Sequence, residues 1–160
     1  LPPPPNVRRI DVTTALDMLA AVQRELPHAD VLIASAAVAD WRPETCSPTK
    51  LKKAGMDGTL RLVPNPDILK TIRPQKGART FIGFAAETGE PTAEATRKLR
   101  DKGLDLIVAN DVTAPDAGFA VDTNRVTLLY PDGRREPLPL QSKLHLAHHL
   151  IALLPTLRTP

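Results

Sequence analysis

Three stretches, DVLIASAAVAD (30–40), RTFIGFAAET (79–88) and LDLIVAND (104–111), hold their apolar residues in continuous runs rather than at every second position. A strand with one wet face alternates; a strand buried on both faces need not, and such strands belong to parallel sheets covered by helices. Between the second and third runs lies PTAEATRKLRDKG, a helix with Thr92 as expected N-cap and Gly103 as its stop. Strand, helix and strand in that order predict a right-handed βαβ unit and a mainly parallel sheet.

The remaining chain fits around this unit. DVTTALDMLAAVQREL reads as a helix in which Thr14 and Asp17 form a capping arrangement and Leu16, Leu19, Ala20 and Leu26 mark the apolar face. GTLRLV suits an exposed strand, and NPDILKTI a short helix capped by Asn65 with Pro66 at its first position. NRVTLLYPDGRREPLPL carries a Pro-Asp-Gly turn between β-prone runs, which predicts an antiparallel hairpin. Ser142 is placed to cap a last helix ending near Leu154. At 160 residues the chain is one α/β domain, with the proline-rich residues 1–6 as a linker or lead-in.

Composition narrows the function. Aromatics make up 3% and net charge is only +3, which disfavours nucleic acid but suits an anionic small molecule. Cys46 is the only cysteine, as expected in a reducing cytoplasm, and no apolar run is long enough to span a membrane. The glycines form neither G-x-G-x-x-G nor a P-loop, so an NAD-dependent oxidoreductase is disfavoured. His145, His148 and His149 share a helical face but have no cysteine nearby for a zinc site. Cys46 lacks a local histidine to activate it as a nucleophile.

In parallel sheets, ligands bind beyond the carboxyl ends of the strands. Each long run ends there in small or polar residues: Ser35 to Ala37 before Asp40, Phe84 to Ala86 before Glu87 and Thr88, and Ala109 before Asn110 and Asp111. One such end is ordinary turn chemistry; three on one edge point to a pocket. Lys98 and Lys102 lie four apart on one helical face, either as solvated surface lysines or as point charges for a polyphosphate. The NPDIL helix start offers N–H groups to an anion. Lys50, Lys52 and Lys53 sit in a loop that could be a solvated run or a lysine-bearing flap.

Together, ASAAVADWRP, KLKK, NPDIL, GFAAET and KGLDLIVAND, in that order, resemble the bacterial phosphopantothenate–cysteine ligase, the synthetase half of the bifunctional coenzyme A biosynthesis protein. The match spans about residues 7–150, and GFAVDTNRVTLLYPDG resembles that family's hairpin region. The resemblance implies a Rossmann-like three-layer fold with a hairpin extension, and a two-step ligation. The carboxylate of 4′-phosphopantothenate attacks the α-phosphate of CTP, giving an acyl-cytidylate and pyrophosphate; the amine of L-cysteine then displaces CMP. It implies Mg²⁺ with the triphosphate, a homodimer, and possible fusion to a phosphopantothenoylcysteine decarboxylase domain.

Carried over residue by residue, Ala34, Ser35, Ala36 and Asp40 would line the nucleotide, with Asp40 near the cytidine part. Lys50 would be the catalytic flap lysine, and Pro66, Asp67, Ile68 and Leu69 would give backbone contacts. Phe84 would pack on the nucleotide, and Lys98 and Lys102 would meet its phosphates. The resemblance starts late: the family's first strand, glycine-rich loop and SSGKMG-bearing helix have no counterpart in this sequence. The expectation is a ligase domain short of part of its phosphopantothenate pocket, with reduced or no activity. The alternative is a non-catalytic nucleotide-binding or dimerisation domain.

Overall fold

The structure, a computed structural model, describes residues 4–50, 52, 58–87, 93–111 and 121–157. Helix α1 (Ala15–Glu25) begins at a reciprocal capping box. Thr14 Oγ1 accepts from the Asp17 N–H at 3.1 Å, and Asp17 Oδ2 accepts from the Thr14 N–H at 2.9 Å. Its packed stripe runs through Leu19 and Val22 to Leu26 just beyond it, whereas Leu16 and Ala20, expected on the same face, are exposed. Only the narrow stripe that points at the sheet can be buried.

Strands β1 (Val31–Ala34), β4 (Thr80–Glu87) and β5 (Leu106–Asp111) are parallel neighbours, as the three apolar runs predict. Helix α3 (Ala93–Asp101) connects the second to the third. It closes at Gly103, whose φ of +65° suits glycine. The Gly103 N–H donates to Arg100 O and the Leu104 N–H to Leu99 O, which completes a Schellman motif. The expected cap Thr92 lies outside the described residues, as do Lys53 and Thr88.

Antiparallel strands β7 (Val126–Leu129) and β8 (Arg135–Pro137) extend the sheet to the order β1-β4-β5-β7-β8, with Gly133 at φ +88° in their turn. Two ribbons stand apart: β2 (Trp41–Pro43) with β3 (Leu62–Pro64), and β6 (Thr123–Asn124) with β9 (Gln141–Ser142). The expected α/β, Rossmann-like arrangement of mainly parallel strands with an antiparallel hairpin is therefore present.

The sheet divides the core in two. Phe81, Ala85 and Ile107 face helices α1, α3 and α2 (Ile68–Ile72), against Leu26, Ile72, Ala95 and Leu99. Ile82, Leu106, Val108 and Leu128 face the opposite way onto Leu146 and Leu150 of α4 (Lys143–Leu157). The Ser142 hydroxyl accepts from the His145 N–H at 3.1 Å, so the expected cap is in place. The helix runs through Pro155 past Leu154, because Leu157 still packs on the sheet and that burial outweighs a lost helical bond. Two-sided burial fails for β1. It is an edge strand in the described sheet, and Ile33 is 39% exposed.

Candidate functional site

The sheet's alternation splits the expected site residues between its two faces. On β1, Ser35 follows the parity of Ile33, while Leu32 packs into the α1–α3 side of the core. On β4, Phe84 turns toward α4, as does Asn110 at the end of β5. Ile33, Ser35, Phe84 and Asn110 thus line a cleft of about 460 Å³, closed on its other side by Lys143, Leu146, Leu150 and Ile151 of α4. Its walls are apolar, with a few polar groups at the carboxyl edge, the usual character of a small-molecule site. The Asn110 Oδ1 is buried there without a hydrogen-bond partner among the described residues, an acceptor that a ligand donor or water could satisfy.

Across the sheet edge, a second group forms around Asn65. Its N–H donates to Asp40 O at 2.7 Å and its Nδ2 to Ala39 O at 2.8 Å, while its Oδ1 accepts from Arg42 at 3.2 Å. Asn65 therefore ties the end of the ASAAVAD segment to the start of NPDIL rather than capping the helix. The cap is Asp67, whose Oδ1 accepts from the Lys70 N–H at 3.1 Å. Aspartate serves as well as asparagine in that place, and the register puts position 67, not 65, before the first helical residue.

The open anion site expected at this helix start is accordingly not open. Helix α2 has five residues, and a carboxylate already sits at its positive end. That carboxylate also meets Lys102: Asp67 Oδ2 lies 3.0 Å from Lys102 Nζ. Glu94 and Asp101, the acids of helix α3, bracket Arg97 at 2.6 and 2.9 Å. This contact lowers the Glu94 carboxyl below its ordinary range and raises the Arg97 guanidinium.

The other expected residues fall as follows. Ala34 is half-buried at the end of β1, and Ala36 and Asp40 are exposed. Pro66 and Ile68 are half-buried, while the Leu69 side chain packs into the core beside Gly83, leaving only its backbone for a ligand. Lys98 is half-buried one helical turn before Lys102, about 6 Å nearer the carboxyl edge. Lys50 and Lys52 are exposed in the segment after β2, and Cys46 is exposed with a free thiol. The histidines stand elsewhere: His149 Nε2 is 3.9 Å from Glu136 Oε1, beside the β7–β8 hairpin.

The structure thus links Asp40, Asn65, Asp67 and Lys102 on one side and gathers Ser35, Phe84 and Asn110 on the other. Sequence reasoning placed Asn110 at a strand end without assigning it a role, and read Asn65 only as a cap. An asparagine has two donors and an acceptor, so it can bridge loops as readily as cap a helix.

A family model for the DNA/pantothenate metabolism flavoprotein C-terminal domain matches residues 1–157. The Coenzyme A biosynthesis bifunctional protein CoaBC of Escherichia coli (strain K12) is 44% identical over 147 residues, 89% of this chain and 36% of its own length. The chain therefore spans about a third of that relative. The crystal structure of the C-terminal domain of a CoaBC protein superposes with a TM-score of 0.78 at 39% identity, covering 98% of this chain and 70% of that one. A complex of a Cab2 mutant with phosphopantothenate-cysteine shares the fold at a TM-score of 0.65 and 18% identity, covering 91% of this chain and 52% of that one. With nearly its whole length matched by the family model, the chain belongs to the DNA/pantothenate metabolism flavoprotein C-terminal domain family.

Proposed function

We propose that this chain is the nucleotide-binding part of a coenzyme A biosynthesis ligase that joins 4′-phosphopantothenate to L-cysteine through a CTP-derived acyl-cytidylate. The observation that carries the reading is the chain of contacts from Asp40 through Asn65 to Asp67 and Lys102. It unites three segments, far apart in sequence, that the resemblance assigns to one nucleotide. The relatives' printed names place them in coenzyme A biosynthesis, and the Cab2 complex holds phosphopantothenate-cysteine.

In this reading Ser35, Phe84 and Asn110 hold the nucleoside side and Lys98 and Lys102 the phosphates. Lys50 acts on the acyl-cytidylate from the exposed segment after β2. Among the described residues, no three His, Cys, Asp or Glu side chains come together to hold a metal. Mg²⁺ would then be held mainly by phosphate oxygens and water, as is usual for this ion. Bound there, Mg²⁺ would supply neutralisation of the triphosphate charge, and Lys98 and Lys102 would orient the chain of phosphates. The reading places the protein in the cytoplasm, within a bifunctional polypeptide like its relatives, and as a homodimer.

Calorimetric titration with CTP, ATP and NAD tests it. Preferential CTP binding is expected, weakened about tenfold by Lys102→Ala, the scale of one charged hydrogen bond. Binding of NAD alone would overturn the reading. Release of CMP and pyrophosphate from CTP in the presence of phosphopantothenate and cysteine tests the reaction itself.

A further inference from the structure

We infer that the Asp67 carboxylate is a built-in counter-anion of the phosphate site, displaced from Lys102 when a polyphosphate binds. The inference rests on the reading of Lys102 as a phosphate ligand. Asp67 does two things at once: Oδ1 caps α2 through the Lys70 N–H, and Oδ2 pairs with the Lys102 ammonium. The two side chains are 40% and 28% exposed, so the pair is neither sealed nor fully screened. Ion pairs this open contribute little and are weak enough for a multiply charged anion to displace.

Two of the donors near this corner are already occupied. Within the first turn of α2, the Lys70 N–H is taken by the Asp67 side chain and the Thr71 N–H by the Asp67 carbonyl. The Thr71 hydroxyl also donates to Asp67 O, at 2.7 Å. A phosphate approaching Lys102 either draws it away from Asp67 or shares the ammonium's remaining N–H groups while facing a carboxylate of like charge. Either way the resident carboxylate opposes binding. It also keeps Lys102 neutralised when no polyphosphate is present, which selects for ligands of high charge over singly charged anions.

Asp67→Asn separates the two roles, because asparagine caps a helix as well as aspartate but carries no charge. The experiment is calorimetric titration of the chain with inorganic triphosphate at low and high salt, using Asp67→Asn, Lys102→Ala and the double variant. Asp67→Ser is the second capping replacement. Asp67→Asn and Asp67→Ser are expected to tighten triphosphate binding about three- to tenfold at low salt. The gain should shrink at high salt and again in the Lys102→Ala background. If Lys102→Ala weakens binding but Asp67→Asn leaves it equal or weaker, Asp67 is no counter-anion and the inference fails while the nucleotide reading stands. If Lys102→Ala changes nothing, the assignment of Lys102 itself fails and takes the inference with it.

Discussion

Tyr130 shows how one buried polar group reports on its surroundings. It is 5% exposed at the end of β7, donates its hydroxyl to Glu136 Oε2 at 2.8 Å and lies under the Arg134 guanidinium at 3.6 Å. Burial first, and then the adjacent Glu136 carboxylate, push its phenol up to about 12. The folded state thus holds this proton more tightly than the unfolded state, whose phenol titrates near ~10. Stability from this group is complete below that value and is lost as pH rises from about 10 to 12. Tyr130 is the sole tyrosine, so the tyrosinate absorbance of the native protein reads it directly. A midpoint near 12 is expected, and one near 10 would show that the hairpin does not enclose the ring. The single Tyr and its Pro-Asp-Gly turn were legible in the sequence. The Glu136 partner was not, because cross-strand neighbours depend on register.

At the scale of elements, β4 depends on a missing side chain. Gly83 faces α2 and the turn after α3, and a Cβ built there would lie 2.7 Å from Leu104 Cδ1 and 3.7 Å from Leu69 Cδ1. Glycine in a strand marks such a close approach. Gly83→Ala is expected to destabilise the protein by about 1–3 kcal/mol through overpacking, measured as a lower urea midpoint at unchanged slope. No loss would mean that Leu104 repacks freely. Nearby, Asp105 Oδ2 accepts from the Phe81 N–H at 2.7 Å and Oδ1 meets Lys76 at 2.6 Å, locking β5 to β4 at their amino ends. The elements themselves were legible: the three parallel strands, though the first ends at Ala34 well short of Asp40, the capping box at Thr14, the Gly103 stop and the hairpin. What misled were local ambiguities. Both Asn65 and Asp67 are good caps, and only the position of the first helical turn chooses between them.

For the whole molecule, the β2–β3 ribbon presents a question of partnership. Trp41 pairs with Pro64 and Pro43 with Leu62, which puts these residues on one face, and Trp41 and Leu62 are 59% and 51% exposed. An isolated two-stranded ribbon is marginal in water, and contiguous exposed apolar surface marks association sites. This face is the seat proposed for the second copy in a homodimer. Sedimentation equilibrium is expected to find a dimer that Trp41→Glu converts to monomer; a monomer in the unsubstituted chain, or an unaffected dimer, would remove the assignment.

Sequence alone determined the fold class here, because continuous apolar runs joined by a capped helix have few ways to bury themselves other than a helix-covered parallel sheet. It also put forward candidate site residues, through motifs whose order resembles one family. Only the tertiary structure decided how those residues stand to one another. Strand alternation sends Phe84 and Ser35 to the α4 side, while Lys102 crosses from α3 to the cap of α2. Spacing set Lys102 only beside Lys98 on one helical face, yet its carboxylate partner comes from 35 positions earlier in the chain. Pairings of that kind are set by which surfaces the core brings together, and periodicity carries no information about them.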